Sequence, residues 1–144
     1  VAGPLYPETI AWPANVEHTI HLSPDRHEEF YGSQKFTLNI TRDAMKRAGY
    51  SPSVRLFEAA ACGVPIVSDW WAGLDPVLEP GREILLSTGP EDTLRYLRDY
   101  SEAQRLALGQ AARERVLTSH TSARRAEELE QYTAALRGRA AVSA

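Results

Sequence analysis

The sequence predicts an α/β fold, a doubly wound parallel sheet flanked by helices, and three observations predict it. Short β-rich stretches alternate along the chain with helical segments of about ten residues, the pattern of βαβ units. Two of the stretches are short and apolar, as strands covered on both faces of a parallel sheet are. Helix-start and helix-stop residues fall between the stretches.

Val1-Ala2-Gly3-Pro4 reads as the end of a strand that began earlier, which suggests a piece of a longer protein. Val16 to Leu22 carries β-branched residues and stops at Ser23-Pro24, so it reads as a strand. Ser23-Pro24-Asp25 then opens a helix with proline in its first turn and acids close behind, ending near Gly32. Lys35 to Thr41 alternates and forms the next strand, and a polar loop follows through Arg42, Lys46, Arg47, Gly49 and Tyr50. Ser51-Pro52-Ser53 is the clearest helix start, with Ser51 as cap and Pro52 as first helical residue. Gly63 ends that helix in the left-handed conformation, and Val64-Pro65 prevents its continuation. Pro65 to Ser68 and, after the turn Glu79-Pro80-Gly81, Glu83 to Ser87 are the last two strands. Pro90 to Tyr100 is a helix, and Ser101 to about Leu136 holds one or two more. Residues 1–137 form the domain, and 138–144 read as a frayed tail.

At 144 residues the chain is one folding unit, and 43% hydrophobic with 24% charged residues is the balance of a globular protein with a real core. The longest apolar run, 59–67, is far short of the roughly 20 residues of a membrane span. A net charge of −3, with acids and bases mixed in both halves, advertises no basic face, which argues against nucleic acid as the partner. Cys62 is the one cysteine, so no internal disulfide forms, and a reducing, cytoplasmic setting is expected.

In sheets of this kind ligands lie at the carboxyl ends of the strands. The helix after Ser51 starts just there, so its unpaired N–H groups and positive dipole end point into the crevice, where they suit a phosphate. Ser51 and Ser53 add hydroxyls. Arg55 and Glu58 interrupt an otherwise apolar helix, four and seven positions after Ser51, and extend a polar stripe inward. At i,i+3 they could simply neutralise each other. Alternatively Glu58 accepts hydrogen bonds from ribose hydroxyls below phosphates held at the helix tip, which together make a nucleotide site. Gly-x-Gly-x-x-Gly is absent, so the dinucleotide fingerprint is not met. His18 and His21 fall on opposite faces of their strand and give no metal site. Asp69-Trp70-Trp71 enters the crevice, where a tryptophan could stack on a ligand or pack in the core, and Asp69 and Asp75 could orient hydroxyls. The segment from Arg113 to Glu130 reads as a solvated face of salt-bridge pairs.

Three runs carry a resemblance: Ser51-Pro52-Ser53, Phe57-Glu58-Ala59-Ala60-Ala61-Cys62-Gly63-Val64-Pro65-Ile66-Val67-Ser68, and Glu79-Pro80-Gly81-Arg82-Glu83-Ile84-Leu85. In order and spacing the chain resembles the C-terminal, donor-binding half of a GT-B glycosyltransferase of the group 1 or family 4 type, in the branch related to the spore-maturation protein CgeB. The resemblance runs from Val16 to about Leu136. It implies a Rossmann-like domain that binds a nucleotide-diphospho-sugar such as a UDP-, GDP- or ADP-sugar, with no separate cofactor or metal. The acceptor would sit in an N-terminal domain absent from this chain, and transfer would retain the anomeric configuration. Glu58 falls at the ribose-contacting glutamate, and the backbone around Pro52, Ser53, Val54 and Arg55 falls at the diphosphate. His21 and Ser23, with Glu28 and Glu29 beyond, border the nucleobase. Such enzymes often carry an acid eight positions before that glutamate; here the residue is Tyr50, and Asn39 and Arg42 are its candidate substitutes. A relative that binds the nucleotide sugar without transferring it is the alternative.

Overall fold

The computed structural model describes residues 1–3 and 6–142, with side chains to residue 137. Its sheet has three short parallel strands in the order β1-β2-β3: β1 (Thr37–Asn39), β2 (Ile66–Ser68) and β3 (Leu85–Leu86). Thr37 stands opposite Ile66, and Val67 opposite Leu85. Because side chains alternate along a strand, this register divides the core in two. Ile66, Ile84 and Leu86 pack with Leu56, Ala59 and Ala60 of α3 (Val54–Ala61) and with Ala112 and Val116 of α5 (Glu102–Ser119). Val67 and Leu85 pack on the other face with Leu108, Phe36, Tyr96 and Tyr100, of which Tyr96 belongs to α4 (Pro90–Asp99). The sheet is therefore covered on both sides, the α/β arrangement expected from the apolar strand sequences.

The helices begin and end where local chemistry allows. Pro90 occupies the first turn of α4, and the Asp92 carboxylate accepts the Thr88 N–H ahead of it. Ser101 and Gln104 form a reciprocal capping box at the start of α5. At the end of α3, Gly63 adopts φ +71°, and Arg113 of α5 donates Nε to the Ala61 carbonyl at 3.0 Å, satisfying an acceptor the helix leaves unpaired. Glu83, nearly fully buried, accepts both the Glu79 N–H (2.8 Å) and Arg115 Nε (3.0 Å), tying the Glu79–Ile84 turn to α5.

Gly109 sits in mid-α5, where glycine costs helix stability. A Cβ there would lie 2.0 Å from the Gly63 carbonyl oxygen, so only glycine lets α5 approach the backbone at the end of α3 this closely.

Several expectations change. Val16 to Leu22 is no sheet strand: it contributes an isolated parallel bridge, Thr19 to Ala2, and Ile20 stays exposed. Its β-branched content favours extended backbone, and Thr19 exchanges backbone hydrogen bonds with Val1 and Gly3, but among the described residues the pairing stops at that one bridge. The expected loop after β1 contains α2 (Asp43–Ala48), an element with Asp43 in its first turn, Lys46 and Arg47 in its last and Gly49 at its end. Six residues were too few to show an apolar period. α3 starts with Ser53 as cap rather than Ser51, so Pro52 precedes the helix. The turn before it is occupied by Gly49 and Tyr50, both at positive φ. Arg113, still exposed, and the half-buried Arg115 reach the partners just named instead of pairing along their own helix, while Arg124–Glu127 and Arg125–Glu128 pair on the surface of α6 (Ser122–Val142). The tail expected from Gly138 falls where side chains, and at residues 143–144 the backbone, lie outside the described residues.

Gly109→Ala is expected to destabilise the fold by about 2–3 kcal/mol, the scale of overpacking, although alanine is normally the better helix former. Denaturant unfolding reads this as a lower midpoint. Gly32→Ala, where nothing lies within 4 Å of the new Cβ, should be neutral or slightly stabilising.

Candidate functional site

A cleft of about 860 Å³ opens between the N-terminal segment, α1 (His27–Gly32), the outer edge of β1 and the start of α3. One of its ends is the first turn of α3. Ser53 caps this helix in extended conformation (φ −69°, ψ 140°) with no side-chain hydrogen bond, so the N–H groups that follow carry no side-chain cap. Ser53, Val54 and Arg55 all line the cleft, as does Arg42 at the start of α2, which makes no ion pair among the described residues. Donors and positive charge therefore meet at this end.

Arg55 in the first turn of α3 and Glu58 one turn further along do not pair with each other. Arg55 Nη1 donates to Asn39 Oδ1 at 3.3 Å. Asn39 is buried at the end of β1 and donates Nδ2 to Ser68 Oγ at 2.9 Å, which links the guanidinium to two strands. Glu58 turns the other way, toward α1. Tyr31 donates its phenol to Glu58 Oε2 at 3.2 Å, and His27 Nδ1 lies 3.3 Å from Oε1. Burial, with the Glu58 charge beside it, pushes the Tyr31 phenol up to about 12, so it remains a donor at neutral pH.

Outside the cleft lining, the turn ahead of α3 is held by close backbone contacts. Tyr50 holds φ 49°, an uncommon conformation for a side chain of its size, and its N–H donates to the Ala72 carbonyl at 2.6 Å. Its ring lies where a Cβ on Gly73 (φ +100°) would come within 2.5 Å, so the two turns interlock. Asp69, at the end of β2, accepts from Thr41 N–H (3.0 Å) and Thr41 hydroxyl (2.8 Å) and pairs with Lys46 Nζ at 2.9 Å. Burial raises its carboxyl, but the hydrogen bonds from Lys46 and Thr41 outweigh that and hold it below the usual range. This acid locks α2 to the sheet and is not a wall of the cleft.

Of the residues singled out in the sequence, His21, Arg42, Ser53, Val54, Arg55 and Glu58 line one cleft. Asn39 stands behind Arg55 rather than in the wall. Ser51 lies in the turn ahead of α3, outside the polar stripe, because the helix starts later than expected. Ser23 donates its hydroxyl to the Asp25 carboxylate, and Glu29 pairs with Arg26 at 3.3 Å; neither lines the cleft. Trp71 is core, and Trp70 is exposed outside the cleft. The sequence reading missed His27 and Tyr31, whose i,i+4 spacing on α1 was the available signal. Among the described residues no three His, Cys, Asp or Glu side chains converge on one point. His18 bonds the carbonyl of Gly3, a cleft residue, at 2.9 Å and His120 the Val77 carbonyl at 3.0 Å, and neither histidine lines the cleft. No helix among the described residues is long and apolar enough to cross a membrane.

A parallel α/β sheet covered on both faces, with a cleft at the start of a central helix, defines a Rossmann-like domain of the kind found in sugar-transferring enzymes. The model of a glycosyl transferase-like family matches residues 1–131, and the chain belongs to that family. No curated protein matches it.

Asp69 ties stability to acid. Its folded value is depressed, so its contribution is complete above the unfolded carboxylate value of about 3.9 and is lost as pH falls through the folded value. Asp69→Asn should cost about 1–2 kcal/mol at pH 7. Thermal melts from pH 6 downward should show a shallower acid loss for the variant than for the native chain.

Proposed function

We propose that this chain is the donor-binding half of a GT-B glycosyltransferase and holds a nucleotide-diphospho-sugar, a UDP-, GDP- or ADP-sugar, in the cleft. The observation that carries the reading is the divergence of Arg55 and Glu58: one turn apart, they leave each other unpaired and face the same cleft. The diphosphate sits on the N–H groups of Val54 and Arg55, with the Arg42 and Arg55 guanidinia beside it. Glu58 takes the ribose hydroxyls, and the nucleobase extends toward His21.

In transfer, the bond between the anomeric carbon and the phosphate oxygen breaks and negative charge grows on the departing diphosphate. The helix start and the two arginines are aimed at that charge and need not reorganise to meet it, the form of stabilisation with the largest catalytic effect. Retention at the anomeric carbon, independence of a metal, an N-terminal acceptor domain, the CgeB-like branch and a cytoplasmic setting complete this reading; they come from the family resemblance and from the lone cysteine. A chain that binds the donor without transferring the sugar is the second reading, favoured by Tyr50, exposed at the position where related enzymes often carry an acid. Hydrolysis and transfer assays on intact protein separate the two.

Glu58→Ala should weaken nucleoside diphosphate binding by about 1–3 kcal/mol in calorimetry, with the fold retained. Val54→Pro should also weaken it. The first helical position tolerates proline, and Ser53 is already extended, so the variant removes one N–H without breaking α3. Unchanged affinity for UDP, GDP and ADP in both variants would remove the start of α3 from the site.

A further inference from the structure

Resting on the assignment of ribose hydroxyls to Glu58, we infer that His27 and Tyr31 are positioning residues. They orient the Glu58 carboxylate and thereby set the preference of the cleft for a ribose over a deoxyribose ligand. The two residues stand at i and i+4 on α1, so they project on one face and reach α3 together. Their rings meet edge to face with centroids 6.2 Å apart, and Tyr31 is backed in the same way by Phe30 at 5.5 Å. Each Glu58 oxygen meets a different one of them, Oε2 the phenol and Oε1 the imidazole.

A carboxylate oxygen has two acceptor sites. One donor on each oxygen leaves one site on each oxygen and stops the group from rotating about its last bond. Glu58 lines the cleft, so the remaining pair, held in one plane, is available there to the neighbouring 2′ and 3′ hydroxyls of a ribose. Without the two donors the carboxylate turns freely and can follow a single hydroxyl, which a deoxyribose also supplies. The Tyr31 phenol keeps its proton at neutral pH, and His27 donates when Nδ1 carries the proton.

The test compares affinities for UDP and 2′-deoxy-UDP, with the GDP and ADP pairs alongside, in the native chain and in Tyr31→Phe, His27→Ala and His27→Asn. The native chain should favour the ribonucleotide roughly tenfold, the effect of one hydrogen bond to a charged group. Tyr31→Phe and His27→Ala should each cut that preference to roughly threefold or less. His27→Asn, which keeps an N–H donor near the place of Nδ1, should retain it. A merely structural role would weaken both members of a pair alike and leave the ratio untouched. A native preference that persists in Tyr31→Phe and His27→Ala overturns the positioning role and leaves Glu58 at the ribose. A native chain with no preference in any pair, or no binding of any, overturns the assignment of Glu58 itself.

Discussion

The candidate site depends on a contact between two backbones. Gly109 of α5 lies against the Gly63 carbonyl at the end of α3, closer than any side chain would permit. That approach sets the height and tilt of α3 over the sheet, and the Arg113 bond to the Ala61 carbonyl holds it there. Everything functional on α3 inherits its place from this crossing, because Ser53, Val54, Arg55 and Glu58 are carried by one short, rigid helix. Its cost is a glycine inside a long helix, which α5 offsets with a capping box and the partly exposed but well-matched Arg115–Glu83 pair.

Seen from the cleft, charge is distributed by elements rather than by local pairing. Adjacent opposite charges on a helix normally meet each other. Here the buried Asn39 draws Arg55 toward β1, and α1 draws Glu58 the other way. The result is a cationic, N–H-rich end and an acidic wall within one cavity, suited to a ligand with phosphate at one end and hydroxyls at the other. A chain of net charge −3 can support this, since helix N–H groups and two arginines make such an end cationic without a basic surface.

Much of this was legible in the sequence, and the rest was hidden for identifiable reasons. Gly63 as a left-handed helix end, the apolar strand around Ile66 and the α4 start at Pro90 are local signals, and each stands where local chemistry put it. The polarity of Arg55 and Glu58 on an apolar helix drew attention to the residues that line the cleft. The shift from Ser51 to Ser53 was not legible, because it follows from Tyr50 locking onto Ala72, a contact between segments distant in sequence. Val16 to Leu22 misled because extended propensity does not by itself extend one bridge, Thr19 to Ala2, into a strand. Asp69, a candidate for ligand hydroxyls, is occupied by Thr41 and Lys46, and α2, which brings Lys46 to it, is too short to announce itself by periodicity. The bonds of Arg113 to Ala61 and of Arg115 to Glu83 join segments distant in sequence, which a composition that reads as surface does not reveal.

The most direct measurement is a titration of the ¹⁵N-labelled chain with UDP, GDP and ADP, following backbone amide resonances. Binding at the start of α3 predicts saturable shifts from at least one of the three, largest at Val54 and Arg55 and extending to Glu58, His27 and Tyr31. Saturable shifts confined to another part of the chain, such as Ser87 to Thr93 beyond β3, or no saturable shift with any of the three, would contradict it.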